Sequence, residues 1–446
     1  MRQREGPWRI PITTTKVSAV PYASPESLVV HPRPTAEAIF VMRSRVTALA
    51  AGQPLRRAVV ALYVATSVAV VLQRGIVGPQ HNVFRIFRQS FWHLVAGRNL
   101  YTAYPSEQGG APADLFKYSP TAALFFAPFA LPPYGLALLA WSLLGALLLF
   151  RGLTLVLERE RAVLAALLVF PDLFASLQAC SSNAQVAALI ILAYAALEHR
   201  HQLRGAVAIV AGAALKIFPL AAIAFAMFHP RRRRFALILV GVGIVALLLP
   251  FVVTSPALLA RQYRWWYAIE RSDAADLVFG LSVMRLLRVW FGASWPSWPI
   301  QLAGAIALLL PIALRSDQWR DAEFRLAFLA SLLAFAVLFN HQAERPSFVI
   351  ASAGVAIWCV SPPRGTSAFW PRALLAISAL VGLRTIPLFA VWVVMQAELY
   401  GWRVRQWRWV AGTMSEGVIE QRHPMVAPDA AADVMLPKVD DRGFAS

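Results

Sequence analysis

The sequence contains little charge, few lysines and almost no cysteine. Only 15% of its 446 residues are charged and 58% are hydrophobic, whereas soluble domains carry about 25% charged residues. This composition excludes a soluble enzyme. It also excludes a disordered chain, which would leave too much apolar surface in water. The two cysteines, Cys180 and Cys359, lie in apolar segments and predict neither a disulfide framework nor a metal cluster.

The charge that is present is mostly arginine. Basic residues outnumber acidic ones by 42 to 23, and only four of the basic residues are lysines. The arginines lie mainly between apolar runs, as in the run at 231–234, and this pattern is typical of the cytoplasmic flanks of membrane spans. Membrane lipids are therefore the expected partners, and nucleic acid is not.

Long apolar runs predict an all-α polytopic membrane protein. A bilayer span needs about 20 apolar residues, and a lipid environment requires backbones that satisfy their own hydrogen bonds. We expect about 10–12 membrane-embedded helices, broken ones included. The runs with no more than one charged residue are 58–73, 118–150, 162–197, 205–228, 235–260, 289–314, 326–343 and 346–363.

The run at 205–228 is predicted to begin and end on the same side of the membrane. Residues 199–204 and 231–234, on either side of it, both have cytoplasmic character. We therefore predict that the run enters the membrane and returns, broken at Lys216 and Pro219, because proline removes a donor and disfavours helix in the residue before it. Four segments then share the outer face: 77–117, 181–185, 255–276 and 340–346.

Three regions follow from this pattern. Residues 1–57 form a polar arm, predicted to be largely disordered and cytoplasmic, with no apolar core of a signal peptide. Residues 58–409 form the transmembrane domain, with the outer loop 77–117. Residues 410–446 form a polar tail that we expect to be disordered.

The outer loop contains an amphipathic stretch at 82–94. Phe84, Phe87 and Phe91 share one face of the predicted helix, whereas Arg85 and Arg88 lie on another. A helix of this kind lies in the membrane interface and is often only an anchor. The alternative is that the two guanidinium groups bind a lipid-linked phosphate, for which bidentate arginine is well suited.

Several short motifs occur in a familiar order. They are Phe87 to His93, Gly97, Tyr101, Tyr118-Ser119-Pro120, the segment 127–132, Ser182 to Gln185, the segment 214–220 and the turn 340–347. Together they resemble glycosyltransferase family 87, also known as the domain of unknown function 2029 family, over roughly residues 58–409. The resemblance implies a fold of the GT-C type, with its active site at the outer face of a bacterial cytoplasmic membrane and a role in the cell envelope.

The implied reaction is hexosyl transfer, with mannose as the first candidate, from a polyprenyl-phosphate donor to a glycolipid or glycan acceptor. No cofactor or resident metal is expected, although the need for a divalent ion stays open. One position departs from the family. Its catalytic aspartate corresponds to Val83, with Gln80, His81 and Asn82 beside it. A non-catalytic binder of lipid-linked sugar, or a transporter or flippase for such a lipid, therefore remains an alternative.

Such an enzyme needs cations for the leaving phosphate and a base for the acceptor hydroxyl. Lys216 is the first phosphate candidate, because an ammonium inside an apolar run needs a partner; snorkelling or pairing with Asp172 is the alternative. Lys117 is the second candidate, beside Tyr118. Asn183 and Gln185 are candidates for binding sugar hydroxyls, or simply cap a helix.

The base candidates lie in the outer segments. Glu344 ranks first because it lies in a tight turn between two apolar helices, although an ion pair with Arg345 would also explain it. The others are His81, His341, Glu107, Asp114, Asp273 and Asp276.

Overall fold

The computed structural model contains only helices and their connections in the residues that it describes, which confirms the all-α prediction. The described residues are 52–77, 83–104, 115–227, 231–275, 280–292, 295–362, 372, 374, 376–378 and 385–401. The predicted arm, apart from its last residues, and the predicted tail lie outside them.

The first half of the chain contains eight of the α-helices described. They are α1 (Gln53–Val71), α2 (Val83–Val95), α3 (Pro120–Phe125), α4 (Ala127–Ala130), α5 (Tyr134–Val156), α6 (Arg159–Gln178), α7 (Asn183–Glu198) and α8 (Gln202–Leu215). A π-helical turn, Leu72–Val77, extends α1, and a 3₁₀ helix, Phe218–Ala226, follows α8.

Seven further α-helices are described in the second half. They are α9 (Arg232–Leu248), α10 (Pro256–Ala275), α11 (Val283–Phe291), α12 (Ser297–Leu314), α13 (Ala322–Leu338), α14 (Phe348–Val360) and α15 (Thr385–Leu399). Short 3₁₀ helices occur at Leu249–Val252, Ser316–Arg320 and Arg345–Ser347.

Four helical stretches of the described chain are long and apolar enough to cross a membrane: Gln53–Ile76, Tyr134–Val156, Arg232–Val252 and Ser297–Leu314. The centre of the bundle is built instead from α7, α13 and α14, in which most residues are buried. α6 packs against α14 and α5 packs against α7. The multi-pass membrane nature of the protein follows from these apolar helices.

The run at 205–228 is broken at Lys216 and folds back on itself, as predicted; its entry into and return from the membrane stays a prediction. α8 ends at Leu215, Lys216 is extended, and the 3₁₀ helix Phe218–Ala226 runs back along α8. Two observations show that the run folds back closely on itself. Gln202 Nε2 donates to the carbonyl of Arg231 at 3.2 Å, and a Cβ on Gly212 would lie 2.7 Å from the Pro219 ring. Glycine is therefore required for the two halves to lie this close.

The end of the bundle remote from Lys216 is held by charged pairs. Arg325 makes a bidentate contact with Glu198 at 2.6 and 2.7 Å and donates to the carbonyl of Trp319. Glu398 accepts from Trp358 Nε1 at 3.0 Å and pairs with Arg372. Paired charges of this kind satisfy groups that apolar surroundings would otherwise penalise.

Two expected boundaries were wrong. The run 289–314 is not one span: α11 ends at Phe291, Gly292 caps it with a φ of 63°, and α12 begins at Ser297. Aromatic residues at the junction kept the sequence apolar, so composition did not reveal the break. The first helix begins at Gln53 and therefore includes the end of the predicted arm.

Candidate active site

The site is built around Lys216, at the break between α8 and the following 3₁₀ helix. Lys216 is half-buried as a residue, and its ammonium makes no hydrogen bond or ion pair with any described residue. It is not paired with Asp172, whose carboxylate accepts instead from Ser352 Oγ. The carboxylate of Glu344 acts on Lys216 electrostatically. The first phosphate candidate and the first base candidate are thus coupled electrostatically, whereas their roles stay predictions.

The motif Tyr118-Ser119-Pro120 lies directly beside this lysine. Ser119 Oγ caps α3 by accepting from the Ala122 amide at 3.2 Å, and it donates to the carbonyl of Ala214 at 3.1 Å. One hydroxyl therefore joins the outer loop to the last turn of α8. Sequence reasoning gave Ser119 no role of its own, although serine before proline at a helix start is a recognisable capping pattern.

Tyr118 is held in place from several directions. Its carbonyl accepts from Tyr101 Oη at 2.9 Å, and its ring meets Phe87 edge to face, with centroids 5.0 Å apart. Burial raises the pKa of the Tyr101 hydroxyl far above its usual range, with smaller contributions from Tyr263 and Glu270. The hydroxyl consequently stays protonated and remains a donor.

Helix α10 contacts the loop that connects α2 to α3. Gln262, fully buried, accepts from the Leu100 amide at 3.3 Å and donates to the carbonyl of Arg98 at 2.7 Å. Trp266 Nε1 donates to the carbonyl of Lys117, and Tyr263 Oη donates to that of Leu247. Two aromatic residues of α10 therefore bind protein backbone.

The two arginines of α2 differ in their surroundings. Arg88 donates to the carbonyls of Phe129 and Pro132, at 3.2 and 2.6 Å, and so holds the segment after α4 against α2. Arg85 is half-buried on the neighbouring side of the helix. Lys117 is exposed. The phosphate role expected of all three stays a prediction.

The turn that contains Glu344 is tied to the segment before α11. The Gly280 amide donates to the His341 carbonyl at 2.7 Å, and the Leu281 amide donates to the Ala343 carbonyl at 2.6 Å. His341 Nδ1 lies 3.4 Å from Gln301 Nε2 at the start of α12. Glu344 and Arg345 are both exposed, and the ion pair between them that the sequence suggested is not formed.

Substituting Gly280→Ala should displace this turn. A Cβ at this position would lie 2.2 Å from the Ala343 carbonyl oxygen, and overpacking of this kind costs about 1–3 kcal/mol. We expect the thermal unfolding midpoint in detergent to fall. The matched control is Gly241→Ala in α9, where no atom lies within 4 Å of the added Cβ and the midpoint should hold or rise. Equal midpoints for both variants would contradict the close contact.

Asn183 and Gln185 lie at the start of α7, and both are buried. Asn183 Nδ2 donates to Ser181 Oγ, and Gln185 Nε2 donates to the carbonyl of Trp141, each at 3.0 Å. Each side-chain oxygen lacks a hydrogen-bond donor among the described residues. The side chain of Ser182, the residue that precedes α7, makes no capping hydrogen bond.

Some candidates fall outside the residues that the structure describes. They are His81, Glu107, Asp114 and Asp276, together with the side chain of Asp273. The base therefore has two described candidates, Glu344 and His341.

A family model for glycosyltransferase family 87 matches residues 116–340. The chain belongs to glycosyltransferase family 87. This confirms the resemblance and makes the protein a membrane glycosyltransferase. The match includes Ser119, Asn183, Gln185 and Lys216, whereas Arg85, Arg88, His341 and Glu344 lie outside it. No curated protein matches the chain.

Proposed function

We propose that this family 87 enzyme transfers a hexose, with mannose as the first candidate, from a polyprenyl-phosphate donor to a glycolipid or glycan acceptor. The reaction would occur at the face where Lys216 and Glu344 lie, taken as the outer face of a bacterial cytoplasmic membrane. The proposal uses no cofactor, and it leaves the need for a divalent ion to experiment.

One observation supports a polyprenyl-phosphate sugar as the donor. The ammonium of Lys216, which no described residue pairs, lies at the top of an exposed apolar stripe. Ile217, Leu220 and Ile223 follow it at intervals of three, the period of a 3₁₀ helix, and are 70%, 40% and 39% exposed. A cation followed by a lipid-facing stripe suits a ligand with an anionic head and one long apolar tail.

The chemistry follows from the two charges. The bond between the sugar C1 and the phosphate oxygen breaks, and a bond forms between C1 and the acceptor oxygen. Lys216 stabilises the negative charge that develops on the leaving polyprenyl phosphate. Glu344 takes the proton of the acceptor hydroxyl. Arg85, Lys117 and Tyr118 are the candidates for a second phosphate contact, and Asn183 and Gln185 for contacts with the sugar hydroxyls.

In this proposal Arg88 has a structural role and does not bind the phosphate. It donates to the backbone carbonyls of Phe129 and Pro132, so it positions α2 against α4 and the segment that follows α4. A structural role of this kind is compatible with the family motif that includes it. The donor phosphate is therefore assigned first to Lys216.

The test uses purified protein in lipid vesicles with radiolabelled polyprenyl-phosphate mannose, and it measures the release of polyprenyl phosphate with and without a crude glycolipid acceptor. Release above that of heat-denatured protein supports the proposal. Binding of the donor without release would indicate a non-catalytic binder. Movement of intact labelled lipid between leaflets would indicate a transporter, and either result would overturn the proposal.

A further inference from the structure

Helix α11 has one apolar face that the bundle covers only in part. Val283 and Met284 are buried and Leu287 is half-buried. Trp290 and Phe291 continue the same face at helical spacing, yet they are 58% and 74% exposed. The face therefore extends beyond the edge of the protein.

The residues after α11 enlarge this uncovered surface. Gly292 ends the helix in the left-handed region, and the chain then enters α12, which is long and apolar enough to cross a membrane. Trp295 and Trp298, at this junction, are also exposed. Tryptophan is enriched where a span meets the lipid headgroups. Continuity with α12 thus identifies the bilayer as the surface that covers these rings.

The opposite face of α11 is cationic. Arg285 and Arg288 are exposed, and their positions lie on the side of the helix away from Val283 and Leu287. A short helix with aromatic residues toward the hydrocarbon and arginines toward the headgroups lies in the plane of the interface. The arginines favour anionic headgroups, because charge attracts such helices to anionic lipid.

We propose that α11, Trp295 and Trp298 form a docking surface for anionic phospholipid headgroups at the same end of the bundle as Lys216. This surface is also connected to the turn that contains the candidate base, Glu344. The amides of Gly280 and Leu281, just before α11, hydrogen-bond to the turn that leads into Glu344. The start of α11 is therefore joined directly to the turn that precedes Glu344. The proposal does not depend on the sugar or the donor.

The test measures how deeply residue 290 lies in the bilayer. A nitroxide label is attached to Trp290→Cys in a chain that also carries Cys180→Ala and Cys359→Ala. Arg285→Cys, on the opposite face of the same helix, is the matched control. The full chain is reconstituted into phosphatidylcholine vesicles with and without phosphatidylglycerol. Collision rates with oxygen and with a water-soluble nickel chelate are then compared.

We expect the ratio of oxygen to nickel collisions to be several-fold higher at 290 than at 285, and to rise at 290 when phosphatidylglycerol is present. Equal ratios at the two positions would place α11 in water and overturn the proposal. A ratio that changes with the amount of protein per lipid would identify a second copy of the chain as the occupant, which also overturns it. The same label on Phe291→Cys repeats the test if the Trp290 variant does not fold.

Discussion

Replacing Lys216 with alanine should lower sugar transfer by roughly 100- to 1,000-fold, the loss typical of removing one group that stabilises developing charge. The reason is that Lys216 carries a positive charge directly before the exposed apolar stripe that begins at Ile217. The measurement is the rate of polyprenyl phosphate release at saturating donor, with helicity checked by circular dichroism.

Two further variants separate charge from packing at this position. Lys216→Arg keeps the cation and should retain more activity than Lys216→Ala. Arg261→Gln removes an exposed cation from α10 and should leave the rate unchanged. If Lys216→Ala transfers sugar as fast as Arg261→Gln, the phosphate is bound elsewhere and the site assignment is wrong.

Replacing Glu344 with glutamine should lower kcat by about 10²- to 10⁴-fold, the usual contribution of a general base, while donor binding is retained. Glutamine keeps the size of the side chain and removes its ability to accept the proton. The exposed carboxylate has no ion pair with any described residue, so the substitution should not destabilise the fold. Single-turnover rates and donor binding, measured on the same preparation, provide the test.

Arg345→Gln is the matched control, because it changes the neighbouring charge in the same turn. An equal loss in both variants would mean that the turn itself, and not the carboxylate, is required. A loss of kcat in His341→Gln but not in Glu344→Gln would identify His341 as the base. This histidine lies beside Gln301 at the start of α12.

The sequence predicted an all-α membrane protein, because the bilayer requires apolar helical spans with basic residues at their flanks. It also predicted the helix break at Lys216 and Pro219, because proline acts locally along the chain. The amphipathic stretch at 82–94 became α2 with Phe84 and Phe87 buried, as its periodicity indicated.

Other features depend on contacts between distant segments, which local patterns do not encode. Gln262 binds the backbone of residues 98–100, and Arg88 binds carbonyls more than 40 positions away. The separation of α11 from α12 was missed because interfacial aromatic residues are as apolar, on average, as a span. The electrostatic coupling of Glu344 to Lys216 likewise required the three-dimensional fold.

The broken pair formed by α8 and the 3₁₀ helix Phe218–Ala226 has a consequence for how the protein is made. α8 is about 21 Å long at 1.5 Å per residue, and the 3₁₀ helix about 18 Å at 2.0 Å per residue. Neither reaches across a hydrocarbon core of about 30 Å. We therefore expect the two halves to insert into the membrane together, as one hairpin whose tip contains Lys216.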